Sequence, residues 1–248
     1  MTDNTISADD QVADRRPRSR RRGGLIFLRD IVIIFVVALL VSFLIKTFLV
    51  RSFYIPSGSM EQTLQIDDRI LVNELVPDVV GVNRGDVVVF TDPGGWLPPS
   101  VDVPQSPLAE GVDWVLSLVG LSASDSDDHL IKRVIGLPGD HVECCNALGQ
   151  MSVNGVPLNE PYVNLPNGTQ AVSATNFDVV VPDDSLWVMG DNRYNSKDSR
   201  YNPDSPGKGF VPMENVVGRA FVITWPTSHW GWLGNYPEVF SGVPEPTG

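Results

Sequence analysis

The chain has 248 residues, of which 42% are hydrophobic and 19% charged, with 22 glycines and 20 prolines. This length allows one sizeable domain or two small ones, and the many turn residues favour a β-rich fold. The net charge is −12, and from Ser52 onward 25 acidic residues stand against 9 basic ones. Such a surface repels phosphate backbones, so the sequence predicts no nucleic-acid partner.

A single membrane span is predicted near the N-terminus. Residues 31–45, IVIIFVVALLVSFLI, carry no charge, and the apolar run extends to Val50 with only Lys46 interrupting it. About 20 apolar residues cross the hydrocarbon of a bilayer, and a run that is apolar on every face is unusual for a core helix. No A-x-A cleavage pattern follows, so we interpret 25–51 as an uncleaved transmembrane helix and not as a secretory signal peptide.

The charges that flank this span predict its orientation. Seven of the 18 basic residues are arginines within 15–29, whereas only Arg51 follows the span closely. By the positive-inside rule, we expect the N-terminus in the cytoplasm and everything beyond Arg51 outside. Residues 1–24 lack apolar periodicity and are expected to form a disordered, basic cytoplasmic tail. The expected location is the cell membrane, crossed once, with lipid as a partner.

The remaining sequence predicts an extracytoplasmic domain over 52–228. Short β-branched runs recur between turn residues, as in GDVVVF, HLIKRVIGL, FDVVVP and SLWVMGD, which is typical of an antiparallel β domain. The NG step of VNGVPL predicts a hairpin. Residues 92–128, rich in Pro, Gly, Ser and Asp, are expected to be an inserted loop. The aromatic tail at 229–248 fits either the membrane interface or packing on the sheet plus a loose end.

Two adjacent cysteines, Cys144 and Cys145, leave their redox state open. They exclude a four-ligand zinc pattern and a framework of several disulfides. Either a strained ring disulfide or two packed or partly exposed thiols fits the sequence. The pair therefore does not decide the redox compartment.

Two serines separated by one glycine, in FYIPSGSMEQTL (53–64), are candidates for chemistry. A serine nucleophile needs a base, and the three histidines lie beside an acidic run, beside a turn and in the aromatic tail. A buried, neutral lysine can replace histidine as the base. Lys132 in HLIKRVIGLPGD is the obvious candidate, although a lone strand lysine is more often a surface residue.

Four motifs follow one another after the span. They are IPSGSMEQTL (55–64), GDVVVF (85–90), IKRVIGLPGD (131–140) and GDNRYNSKDSR (190–200). In this order they resemble the boxes of bacterial type I signal peptidases, or leader peptidases, which are Ser/Lys-dyad serine peptidases. The resemblance covers most of residues 53–224 and implies a mainly β, antiparallel catalytic domain of signal-peptidase type after one N-terminal transmembrane helix.

The resemblance implies a role for each matching residue. Ser59 is the expected nucleophile and Lys132 the general base. Ser57 matches the serine whose hydroxyl helps to hold the oxyanion, and Ser196 matches the serine that orients the lysine amine. The charged residues expected to brace the site are Arg133, Asp191, Arg193, Asp198 and Arg200. The side chains expected to line substrate pockets, with ordinary core packing as an equal alternative, are Phe53, Ile55, Met60, Leu64, Leu130 and Ile131.

The implied activity is removal of signal peptides from exported preproteins, which bind as an added strand and are cut after a small-x-small motif. No metal or cofactor is needed. Glu61 and Gln62 differ from the residues of many family members without touching the expected dyad. Two alternatives stay open: a soluble, self-cleaving repressor-type peptidase, against which the span and the acidic charge argue, and an anchored binding protein that has lost its activity.

Overall fold

Two compact units make up the chain, and the second begins at Ile45. The computed structural model describes residues 20–98, 128–163 and 165–246. Most of the expected N-terminal tail and most of the expected insertion therefore lie outside the described residues.

The N-terminal unit holds most of one long helix, α1 (Arg20–Phe48), whose 29 residues span about 43 Å and whose last four residues belong to the second unit. Its stretch Ile26–Phe43 has a mean hydropathy of 2.6 and buries none of its residues, so the helix is long and apolar enough to cross a membrane. This exposure argues against the alternative of a buried core helix. The helix begins at Arg20, five residues before the expected span. It ends at Phe48, and Val50 already pairs with another strand.

Antiparallel strands dominate the second unit. In chain order they are β1 (Val50–Tyr54), β2 (Arg69–Asn73), β3 (Val87–Thr91), β4 (His129–Gly136), β5 (His141–Cys144), β6 (Met151–Val153), β7 (Val156–Pro157), β8 (Phe177–Val180), β9 (Ser185–Met189), β10 (Val211–Pro212), β11 (Val216–Trp225) and β12 (Gly231–Trp232). Short 3₁₀ turns cover Gly58–Met60, Ser199–Tyr201, Met213–Asn215 and Thr227–His229, and a last helix, α2, covers Pro237–Phe240.

These strands form two sheets. The larger sheet has the order β1-β2-β11-β3-β4-β9-β10, with β12 added to β11, and the smaller has the order β7-β6-β5-β8. All pairings within them are antiparallel, which confirms the fold class predicted from the recurring β-branched runs. The predicted hairpin joins β6 to β7, where Asn154 and Gly155 both have positive φ angles, as a two-residue turn of this kind requires.

The C-terminal segment packs on the second unit through part of its length. Phe240 and Val243 are buried in the core cluster of the smaller sheet, and the Pro244 carbonyl accepts a hydrogen bond from Asn154 Nδ2 at 3.0 Å. The tryptophans at the other end of the segment behave differently, since Trp230 and Trp232 are 71% and 79% exposed. For these exposed rings, contact with the membrane interface stays one of the two alternatives.

The adjacent cysteines are joined by a disulfide in this structure. Cys144 is the last residue of β5 and is buried against the core of the smaller sheet, whereas Cys145 is half-buried beside it. Of the two alternatives that the sequence left open, the structure therefore contains the ring disulfide.

Candidate active site

The expected nucleophile lies in a turn that the core holds in place. After β1, the Ile55 amide donates to the Asp68 carbonyl at 2.9 Å, which draws the chain back toward β2. The 3₁₀ turn Gly58–Met60 follows, closed by the Glu61 amide on the Gly58 carbonyl at 3.2 Å, and the Leu64 amide donates to the Met60 carbonyl at 2.8 Å in the next turn. Met60 and Leu64 are completely buried. Two apolar anchors thus fix the turn that carries Ser59.

Lys132 meets Ser59 from the middle of β4. Its Nζ donates to Ser59 Oγ at 2.8 Å and to the Ile131 carbonyl oxygen at 2.8 Å. The lysine is only 3% exposed because β4 is flanked by β3 and β9 in the larger sheet. The alternative of a surface lysine on an edge strand is therefore wrong. The structure brings the two residues of the expected dyad into direct contact.

The surroundings of Lys132 favour its neutral form. Burial lowers the pKa of its amine from 10.5 to about 8, although the nearby Asp198 and Asp191 carboxylates favour the ammonium form and limit the fall. At pH 7 about one amine in ten is then neutral, against fewer than about one in a thousand for an ordinary lysine. A neutral amine within hydrogen-bond distance of a hydroxyl can accept its proton.

The other two serines lie near the dyad, with different surroundings. Ser57 Oγ is 3.5 Å from Ser59 Oγ, so both hydroxyls lie on the same side of the turn. Ser196 is buried, and its Oγ has no hydrogen-bond partner among the described residues. The lysine amine donates to Ser59 and Ile131 in this structure. The orienting role of Ser196 therefore stays a prediction.

Gly190 brings the last motif against Ser59, the expected nucleophile. A Cβ at this position would overlap both Ser59 O and Ser196 Oγ, so only glycine allows this approach. The next residues hold the turn as well: the Asn192 amide donates to the Ser59 carbonyl at 3.1 Å, and Asn192 Nδ2 donates to Glu61 Oε2 at 2.9 Å. Glu61, at a position where many family members have another residue, therefore helps to hold the turn that carries Ser59.

The five charged residues expected to brace the site are all buried, and they form bidentate ion pairs. Arg133 donates to Asp191 at 2.8 and 2.6 Å, and Arg200 donates to Asp198 at 2.8 Å through two nitrogens. The planar guanidinium and carboxylate groups match in this geometry, so each buried charge is compensated by its partner although water is excluded. Asp198 Oδ2 also accepts from the Gly190 amide at 2.9 Å, which links the pair to the close approach at Gly190.

Arg193 has a partner that the sequence motifs did not reveal. It donates to the two oxygens of Glu160 at 2.9 and 2.5 Å, and both side chains are almost completely buried. Glu160 lies outside the four motifs, in the loop after β7. No local pattern distinguishes it from a surface carboxylate, so only the folded chain reveals this pair.

Arg133 lies in an aromatic and carbonyl cage that the sequence did not predict either. Its guanidinium carbon is 4.1 Å from the ring centre of Tyr162 and 5.2 Å from that of Tyr236. Its Nη1 donates to the Gly85 carbonyl at 2.7 Å and to the Gly234 carbonyl at 3.2 Å. The residue next to Lys132 is thus fixed by segments far apart in the chain, including the C-terminal one.

A cleft of about 210 Å³ opens beside the dyad. Four of the six expected pocket residues line it, namely Phe53, Ile55, Leu130 and Ile131. Among the described residues, Met60 and Leu64 do not line this cleft, because both are completely buried in the core cluster beneath the turn. For these two residues the structure shows the alternative role of core packing.

The family model of signal peptidase, peptidase S26, matches residues 28–225. The chain belongs to this family. Signal peptidase I of Mycobacterium tuberculosis strain H37Rv is 37% identical over 234 residues, which cover 87% of this chain and 77% of that protein. Signal peptidase I S of Bacillus subtilis is 30% identical over 217 residues, which cover 84% and 92%. The match ends at Trp225, the last residue of β11, so the cage residue Tyr236 lies beyond it.

Among solved structures, a signal peptidase I from Enterococcus faecalis V583 is similar, with 25% sequence identity and a TM-score of 0.36 over 56% of this chain and 95% of that one. Family membership makes this chain a signal peptidase and a serine hydrolase. It also favours this class over the repressor-type and binding-protein alternatives.

Proposed function

We propose that this chain removes signal peptides from exported preproteins by acyl transfer, with Ser59 as the nucleophile and Lys132 as the general base. The observation that carries the proposal is the 2.8 Å hydrogen bond between Lys132 Nζ and Ser59 Oγ, with the amine buried and its pKa lowered to about 8. Lys132 is buried, contacts a serine and lies within the residues that the family model matches. A catalytic role explains this arrangement better than a purely structural one does.

The reaction follows from this geometry. Neutral Lys132 takes the Ser59 proton while Ser59 Oγ attacks the scissile carbonyl carbon. Negative charge develops on the carbonyl oxygen, to which the Ser57 hydroxyl and the Ser59 amide would donate hydrogen bonds. The lysine ammonium then gives its proton to the leaving nitrogen as the scissile carbon–nitrogen bond breaks, and the carbonyl carbon of the signal peptide remains bonded to Ser59 Oγ as an ester. The same lysine then deprotonates a water, whose oxygen bonds to the acyl carbon; the ester bond to Ser59 Oγ breaks, and the lysine returns the proton to Ser59.

The expected specificity rests on the cleft beside the dyad. Its walls are mainly apolar, from Phe53, Ile55 and Leu130, and Lys132 itself lies on its border. An extended preprotein segment that crosses this cleft would place the side chain before the scissile bond against these walls. This supports cutting after a small-x-small motif, since a larger side chain would push the carbonyl away from Ser59.

Cleavage of a preprotein by the purified full-length chain in detergent tests the dyad. Ser59→Ala and Lys132→Ala are each expected to abolish processing, because one removes the nucleophile and the other the base. Ser241→Ala and Lys208→Ala remove the same groups at exposed positions and should process at the wild-type rate. Normal processing by either dyad variant would overturn the assignment.

The proposed location is the cell membrane, crossed once by α1, with the N-terminus in the cytoplasm. The apolar exposed face of α1 and the arginine-rich segment before it support this orientation. Protease added outside intact cells should digest the segment after Arg51 and leave an epitope before residue 20 intact. Loss of the N-terminal epitope with the catalytic domain protected would reverse the orientation.

A further inference from the structure

The smaller sheet presents a set of side chains that the reaction does not use. His141 and Glu143 are two residues apart on β5, so their side chains lie on the same face. Asp178 on β8 lies directly opposite Glu143 in the antiparallel register. His141 Nε2 is 2.6 Å from Asp178 Oδ1, and one nitrogen or oxygen of each residue lies within 4.8 Å of those of the others.

The register places two like charges opposite each other. Carboxylates in this position repel, and such a cross-strand pair is destabilising by itself. In the described part of the chain, no lysine or arginine forms an ion pair with Glu143 or Asp178; their side-chain partners are His141 and Ser152. A cation bound between the carboxylates would remove this repulsion.

The supporting groups around the three side chains resemble those of a ligand site. The Ser152 hydroxyl donates to Glu143 Oε1 at 3.0 Å and orients that carboxylate. The His141 amide donates to Asn154 Oδ1 at 2.8 Å, and the His141 carbonyl accepts from the Asn154 amide at 2.8 Å. Asn154 thus holds both backbone groups of the histidine, whose ring remains partly exposed.

We propose that His141, Glu143 and Asp178 bind a zinc ion that fastens β5 to β8. One imidazole nitrogen and two carboxylate oxygens are ligands that Zn²⁺ accepts in tetrahedral geometry, with water as the fourth. Ligands bound at about 2.1 Å lie roughly 3.4 Å from one another in a tetrahedron. The side chains of His141 and Asp178 are 42% and 76% exposed, so small rotations reach this spacing without disturbing the core. The site lies on the smaller sheet, whereas the dyad lies on the larger one.

Calorimetric titration with ZnCl₂ tests the site on the full-length, tag-free chain in detergent under non-reducing conditions. We expect saturable binding of one ion per chain. His141→Ala and Asp178→Asn should each raise the Kd for zinc at least tenfold. His229→Ala removes a histidine that lies outside the smaller sheet, so this matched control should bind zinc as the wild type does. No saturable binding by the wild type, or equal affinity in Asp178→Asn, would overturn the proposal.

Two further measurements separate this site from a folding defect and from weak ion binding. His141→Ala and Asp178→Asn should process a preprotein at the wild-type rate, and zinc should raise the Tm of the wild type but not that of Asp178→Asn. Asp178→Asn preserves shape at an exposed position, so it keeps the test valid if His141→Ala folds poorly. Displacement of zinc by an equal concentration of Ca²⁺ would contradict a site that contains imidazole.

Discussion

Replacing Lys132 by methionine is expected to abolish cleavage and yet to stabilise the protein at neutral pH. Burial lowers the pKa of the amine from 10.5 to about 8, which means that folding disfavours the ammonium form. This fall in pKa means that folding disfavours the ammonium form by about 3 kcal/mol, since each pKa unit corresponds to about 1.4 kcal/mol. Methionine fills a similar volume without charge. The two hydrogen bonds of the amine are lost, at about 1 kcal/mol each, so the net gain at pH 7 is about 1 kcal/mol.

The pH dependence identifies the cause of this gain. Because the pKa is lower in the folded state, the unfolded wild-type chain binds more protons between about pH 8 and 10.5, and wild-type stability rises with pH across that window. Below pH 8 both states are protonated and this contribution is lost. Relative to Lys132→Met, the wild type should therefore gain about 2.5 kcal/mol between pH 7 and pH 10, and the order of stability should reverse.

Urea unfolding of the full chain in one detergent, followed by tryptophan fluorescence at pH 7, 8.5 and 10, measures these differences. Lys208→Met is the matched control, because Lys208 is exposed and its replacement should shift stability equally at every pH. A stability difference between Lys132→Met and the wild type that stays constant from pH 7 to pH 10 would refute the claim that a buried ammonium is the cause.

Three further outcomes follow from the site. The kcat/KM for a fluorogenic peptide should fall about tenfold for each pH unit below about 8, because only neutral Lys132 is the base, and a flat profile from pH 6 to 8 would contradict this. Gly190→Ala should lower kcat about 100-fold or more, because the Cβ of alanine would displace the turn that carries Ser59. The control Gly81→Ala should remain active, because a Cβ at that position meets open space. Asp191→Asn should lower the free energy of unfolding by about 3–5 kcal/mol, since Arg133 stays buried without its countercharge; urea unfolding equal to the wild type would disprove this.

Local patterns predicted much of the fold because they depend on neighbouring residues. The apolar run of α1 and the β-branched runs between turn residues reflect short periodicities that are visible in any window of the sequence. Helix bounds were less accurate: α1 begins at Arg20 and ends at Phe48, where pairing of β1 with β2 takes over. Strand pairing joins distant segments, so a local pattern does not fix where a helix gives way to a strand.

The order of four short motifs, and their resemblance to those of one peptidase family, indicated Ser59 and Lys132 as the proposed catalytic partners. The environment that this proposal requires is formed only in the folded chain. The pKa of Lys132, the proposed base, falls because its strand is buried between β3 and β9, which alternation along β4 alone does not specify. The ion pair of Arg193 with Glu160 and the contact of Tyr236 with Arg133 likewise join residues far apart in the chain. Burial and charge pairing depend on atoms that only folding brings together, and they set the proton affinity on which the reaction depends.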